Sequence, residues 1–231
     1  MPRESVFDGF LRSHTDTVTR NLPPRPAQSM EASLLADPWA WLASATPPVA
    51  HLLVIGLTRL TGHDVALADP DKVRDVMLAL AGMVLSNLVM LYILPAGAWS
   101  AFRVVFGMLV LDTVEYWVHR YMHMNKWLYR HTHQTHHMPK VCAVLALYNS
   151  AFEAVPVGFL IAVAFTLSGV TWSDFIVVTT LGNMKTAWDH ASTRTGHHHE
   201  LHHSKPCANF EQPFFDIWDR LMGTKIWAAS R

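Results

Sequence analysis

Cysteine is nearly missing from this chain, and charge is scarce. Cys142 and Cys207 are the only thiols among 231 residues, and neither belongs to a CxxC pair. They imply neither a disulfide framework nor a thiolate metal site. Charged residues make up 16% of the sequence and the formal net charge is zero, which removes the electrostatic basis for nucleic-acid binding. No basic start followed by an apolar run opens the sequence, so a cleavable secretory signal is not expected. Internal repeats and extended low-complexity tracts are also lacking, apart from the short histidine run at 197–199.

What is abundant is apolar surface, at 51% of residues, and it is gathered in blocks. Val76 to Leu94 carries no charge and is about long enough to cross a bilayer's hydrocarbon core. Pro95 to Ser100 makes a turn with Trp99 suited to an interface, and Ala101 to Val118 runs back carrying Arg103, Asp112 and Glu115. Val141 to Gly169 is a third long apolar stretch, with Glu153 inside it and a kink expected at Pro156. Ser168 to Ser173 forms a second turn, and Phe175 to about Ala187 a fourth, shorter helix. Val49 to Leu60 is too short to span by itself and reads as an interfacial or buried helix. The expected fold is therefore all-α: a polytopic membrane helical bundle of about four spans in two hairpins. Residues 1–48 read as a loosely ordered or interfacial lead-in, and 49–231 as the membrane-embedded domain.

Charge placement sets the expected topology. Lys72 and Arg74 precede the first long span. Arg120, Lys126, Arg130 and Lys140 lie between the hairpins, and Arg194, Lys205, Arg220 and Lys225 follow the last span. The two turns, at 95–100 and 168–174, contain no Lys or Arg. The positive-inside rule then puts the intervening and C-terminal segments on the cytosolic side.

Those same segments hold twelve of the fifteen histidines, between His119 and His203. Most fall into three clusters: His119 with His123, His133 with His136 and His137, and His199 with His202 and His203. A gap of three or four puts two side chains on one face of a helix. Collected imidazoles serve most often as neutral nitrogen ligands for transition metals. Three clusters offer more ligands than one tetrahedral zinc takes, which points to more than one ion. Asp112 and Glu115 share a helical face with His119 and His123. They are expected to hold ligand histidines from behind or to bind metal, the plain alternative being a pairing with Arg103 or other bundle residues.

The stretch from Asp112 to His137, Asp-Thr-Val-Glu-Tyr-Trp-Val-His-Arg-Tyr-Met-His…His-Thr-His-Gln-Thr-His-His, resembles the first two histidine boxes of the fatty acid hydroxylase superfamily. It is most similar to the sphingoid-base C4-hydroxylases. Met184 to His190, His199-Glu-Leu-His-His-Ser204 and Asn209 to Thr224 resemble the C-terminal part of the same subfamily. The resemblance implies an integral endoplasmic-reticulum monooxygenase with two iron ions. Its metal ligands would be His119, His123, His133, His136, His137, His190, His199, His202 and His203. It also implies dioxygen, electrons from cytochrome b5 or a reductase, and hydroxylation at C4 of a dihydrosphingoid base or dihydroceramide. Relatives commonly carry histidine where this chain has Ser150, and a longer loop than the eight residues between His190 and His199.

The chemistry agrees with that implication, because an unactivated C–H bond offers no handle to an acid or base and needs a metal–oxygen oxidant. The apolar faces of the four spans are expected to form a tunnel for the lipid chain. Other lipid oxidases of the superfamily, including sterol desaturases, and a non-catalytic relative remain alternatives. A metal transporter is a further one, although transporters place their sites at mid-membrane. His14, His51 and His63 read as structural or solvated. His131, His197 and His198 stand beside the boxes as reserve candidates, and Trp218, Asp219 and Arg220 are expected to dock the C-terminal segment.

Overall fold

The computed structural model describes residues 37–63, 68–191, 198–210 and 214–227, and every regular element among them is helical. Residues Trp39 onward form one compact unit. Helix α1 spans Pro38–Leu60, α2 Pro70–Ile93 and α3 Ala101–Met124. The short helices α4 (Lys126–His131) and α5 (Gln134–His137) and a 3-10 turn at Ala143–Leu145 follow. Then come α6 (Ala151–Ser168), α7 (Trp172–Asp189), α8 (His198–Ser204) and α9 (Ile217–Leu221).

The boundaries follow local chemistry. Asp69 caps α2 by accepting from the Asp71 N–H at 3.0 Å, with Pro70 in the first turn where its missing N–H costs nothing. Asn125 ends α3 and caps α4, accepting from the Trp127 and Leu128 amides. Gly169 stops α6 at φ 73°, a conformation that glycine adopts without strain. Thr171 and Asp174 then open α7 with a reciprocal capping box.

Helix α3 is the central element and packs against both α6 and α7. At Gly107 a Cβ would stand 3.1 Å from Val178 and 3.3 Å from Phe165, so the absence of a side chain lets three helices close on one another. Met90, Leu94, Leu111, Phe165 and Phe175 fill the space around that crossing. The two predicted turns meet at this end. Trp172 N–H donates to the Pro95 carbonyl, while the buried Asp174 accepts from Ser100 N–H (2.7 Å) and Arg103 Nε (2.6 Å). Arg103 thus pairs with Asp174, not with Asp112 or Glu115.

Three described helices, α1, α2 and α6, are long and apolar enough to cross a membrane. Their outward faces expose large apolar side chains such as Leu53, Leu78 and Phe159, a surface suited to lipid. This multi-pass membrane architecture differs from the expectation in three respects. The expected spans at Ala101–Val118 and Phe175–Ala187, now α3 and α7, are not among the helices long and apolar enough to cross, whereas α1 is. The segment Val49–Leu60 is the second half of a 23-residue helix that begins at Pro38 and runs through Pro47 and Pro48. Two consecutive prolines read as a stop, yet the chain continues because α1 packs Ser44, His51 and Val54 inward. The third apolar stretch also starts later. Residues 141–150 form the 3-10 turn and a loop, and helix begins only at Ala151.

Candidate metal centre

All nine histidines of the boxes come together, in two adjoining groups. His119, His123, His133, His137 and His202 form one, and His136, His190, His199 and His203 the other; within each group the candidate ligand atoms lie within 4.8 Å of one another. The rings of His137 and His203 join the groups at a centroid distance of 4.4 Å. His190 and His199 face each other at 4.3 Å even though only eight residues separate them. Most of that loop, 192–197, lies outside the described residues, as does His197.

Each segment contributes by a simple rule. The four-residue gap sends His119 and His123 off one face of α3. The tight turn of α5 presents His133, His136 and His137 together, and α8 does the same with His199, His202 and His203. His190 caps the C-terminus of α7.

Hydrogen bonds then orient the rings. The Nδ1–H of His119 donates to the Phe210 carbonyl (2.7 Å), that of His202 to Ala208 (2.7 Å) and that of His190 to Thr186 (2.8 Å). His133 Nδ1 donates to Glu153 Oε1 at 2.7 Å. A carbonyl can only accept, and so can an ionised carboxylate, so these four rings carry their proton on Nδ1 and turn a bare Nε2 inward. There the nitrogens crowd together. His133 Nε2 lies 3.1 Å from His137 Nε2, which is 3.2 Å from His202 Nε2, and His190 Nε2 is 3.2 Å from His136 Nε2. Lone pairs at that range repel unless a proton or a metal cation lies between them.

This donor set fits a metal. Two imidazole nitrogens held by one ion at about 2.0–2.1 Å, and roughly 90–109° apart, stand about 3.0–3.4 Å from each other. The Nε2 atoms of His119 and His123 are buried with no partner among the described residues, as expected of unfilled ligand positions. Burial, reinforced by neighbouring imidazoles, holds His136 down to about 4 and His137 to about 3. The same causes push His133, His199, His202 and His203 well below the ordinary imidazole range. Rings that stay neutral keep their lone pairs for a cation.

The residues beside the boxes sort themselves out. His131 is exposed, donates to the Trp127 carbonyl and stacks on its ring. His198 pairs with Asp219 at 3.2 Å and with Lys225 at 2.8 Å. Neither belongs to the two groups. His51 is fully buried, with Nδ1 bonded to the Asn183 carbonyl, and His63 bonds Thr61; His14 is outside the described residues. Asp112 does not hold a histidine: its carboxylate accepts from the Phe214 and Phe215 amides at 3.0 and 2.6 Å, anchoring the C-terminal segment to α3. Trp218 adds to that docking through Thr113, and Asp219 accepts from Phe210 N–H, next to the carbonyl that orients His119. The carboxylate behind a histidine is Glu153, which the sequence offered only as one acidic residue in an apolar stretch. Ser150 bonds the Thr132 carbonyl.

Beneath the histidines lies a cavity of about 370 Å³, lined from α2, α3, α6 and α7 and ending at His119, His133, His136, His190 and His199. Its size falls in the range of small-molecule sites. These are the four helices expected to form a tunnel.

Residues 104–224 match the family model described as fatty acid hydroxylase. The chain belongs to this family. Among curated members it is 34% identical over 189 residues to a very-long-chain aldehyde decarbonylase, GL1-9, of Oryza sativa, covering 69% of this chain and 72% of that one. It is 37% identical over 136 residues to sphinganine C4-monooxygenase 1 of Arabidopsis thaliana, with 52% of each chain covered. It is 36% identical over 147 residues to sphingolipid C4-hydroxylase SUR2 of Saccharomyces cerevisiae, covering 55% of this chain and 41% of that one. The chain thus spans about half the length of these last two relatives, or less. No solved structure matches it.

Proposed function

We propose that this protein is a membrane-embedded, dioxygen-dependent lipid hydroxylase that adds a hydroxyl at C4 of a dihydrosphingoid base or dihydroceramide. The observation that carries the reading is the position of two histidine groups at the end of an apolar cavity, on a chain similar to sphinganine C4-monooxygenases. His119, His123, His133, His137 and His202 would hold one iron ion, and His136, His190, His199 and His203 a second. Bound there, the pair supplies reductive activation of dioxygen, with electrons from an external donor such as cytochrome b5 with its reductase. One oxygen atom enters the C–H bond and the other leaves as water, consuming two electrons and two protons.

The chain's own residues do the remaining work. The carbonyls of Phe210, Ala208 and Thr186 and the Glu153 carboxylate fix the ring tautomers before any ion arrives, which removes reorganisation from the binding step. Met83, Leu111, Val157 and Ile161 exclude water around the lipid chain and hold it with its reacting carbon under the histidines. The lysine- and arginine-free turns and the basic histidine-bearing side support an orientation with the centre facing the cytosol, in the endoplasmic-reticulum membrane that this reading implies. Helices α3 and α7 would complete the bundle across the bilayer beside α1, α2 and α6.

Expression in a host lacking C4-hydroxylation tests the reading: 4-hydroxylated long-chain bases are expected, and an unchanged profile at good expression overturns it. A second reading has its own support in the longer match to the aldehyde decarbonylase. Consumption of a supplied very-long-chain aldehyde, with long-chain bases untouched, would favour it.

A further inference from the structure

The mechanism above leaves one carboxylate unused. Glu115 sits on α3 one turn before His119, half-buried, and lines the cavity. No donor among the described residues pairs with it. Glu153 lines the same cavity and is 8% exposed; its Oε1 is taken by His133, but its Oε2 has no partner. The two side chains are near enough to interact electrostatically. No Lys or Arg appears among the described lining residues, and much of the remaining wall is apolar, with Met83, Met90 and Val157 as examples.

An unpaired carboxylate in an apolar wall is costly, and a second one beside it compounds the cost. The deficit is one of positive charge and hydrogen-bond donors. We propose that Glu115, with Glu153, forms an ammonium subsite that selects a single-chain lipid bearing a free primary amine over its N-acylated counterpart. A protonated amine brings three donors and one positive charge, and an amide keeps one donor and no charge. The position also suits the reaction. Four residues of helix rise about 6 Å, so an amine held by Glu115 lies roughly one helical turn from the His119 side of the centre. In a dihydrosphingoid base the amine is on C2, two bonds from C4, so anchoring one presents the other. This inference rests on the proposed C4 reaction for its substrate, but its binding test does not depend on turnover.

The test uses the full chain with its metal in nanodiscs of neutral lipid, and competition against radiolabelled sphinganine. Sphinganine is expected to bind at least about ten-fold tighter than N-acetylsphinganine or octadecanol, the difference that one charge-assisted contact supplies. Glu115→Gln should remove most of that preference while leaving octadecanol affinity and metal per chain unchanged, and Glu115→Asp should restore part of it. Equal binding of the three lipids by the wild type, a Gln variant that keeps the preference, or one that loses metal would each overturn the subsite. The wild-type comparison stands even where a variant fails to fold. Amine preference without C4 product would break the proposed reaction and keep the subsite, whereas equal hydroxylation and binding of amine and amide would do the reverse.

Discussion

Three outer nitrogens of the five-histidine group are fixed by hydrogen bonds, those of His119, His133 and His202. In the four-histidine group His190 is held by Thr186, but His199 Nδ1 has no partner among the described residues, and His136 Nδ1 faces the Tyr148 backbone without a well-formed bond. The contrast has a structural origin. The first group draws mainly on α3 and α5, and two of its rings are held by carbonyls of a C-terminal segment that Asp112 ties to α3. The second draws on the end of α7 and on α8, joined by the short loop after His190. One group is largely oriented by the protein's own hydrogen bonds, while the other has fewer such restraints.

The largest expected effect comes from removing a ligand. His202→Ala should strip the five-histidine group and His136→Ala the four-histidine group, each abolishing hydroxylation and lowering metal per chain. Full metal content in His136→Ala would break the comparison at once. Chelation should sharpen it: metal should leave in two phases, with about 10–100-fold different chelator dependence, the scale of effect that supporting partners have on affinity. The weaker phase should vanish in His203→Ala, and a single phase would show that the groups are equivalent. Glu153→Ala should bring the stronger phase toward the weaker one by releasing His133, whereas Glu153→Gln, which keeps an acceptor, should move it less.

A smaller effect concerns protons. Burial depresses His136 to about 4 and His137 to about 3, so the unfolded chain binds more protons than the folded one below the ordinary imidazole value near 6.5. These rings should therefore lower the stability of the metal-free protein as pH drops from 6.5 toward 4. A thermal midpoint that rises on acidification would contradict the buried neutral rings.

That the box histidines would cluster was legible in the sequence because helical spacing is a local property: gaps of three and four fix which rings share a face before any tertiary contact is known. The two turns were legible for a similar reason, since uncharged runs and turn residues mark themselves. Helix α1 was not, because the apolar run from Val49 to Leu60 is short and nothing in the sequence marks its continuation back through Pro47 and Pro48 to Pro38. Glu153, to which the sequence assigned no part, takes the one expected of Asp112, and Asp112 instead anchors the C-terminal segment. Which carboxylate stands behind a histidine depends on how α6 and the C-terminal segment fold against α3, and spacing along one helix carries no information about that. The carbonyls of Phe210, Ala208 and Thr186 were invisible for the same reason, as every residue has one.

The crossing at Gly107 has one more consequence. Met90, Leu111 and Phe175 belong both to the packed core around that crossing and to the cavity wall. The pocket therefore has a solid floor, sealed below by side chains and by the Asp174 knot between the turns. A lipid tail longer than the space above that floor would have to leave sideways between helices, so the bundle would gauge chain length from the histidine-lined end downward.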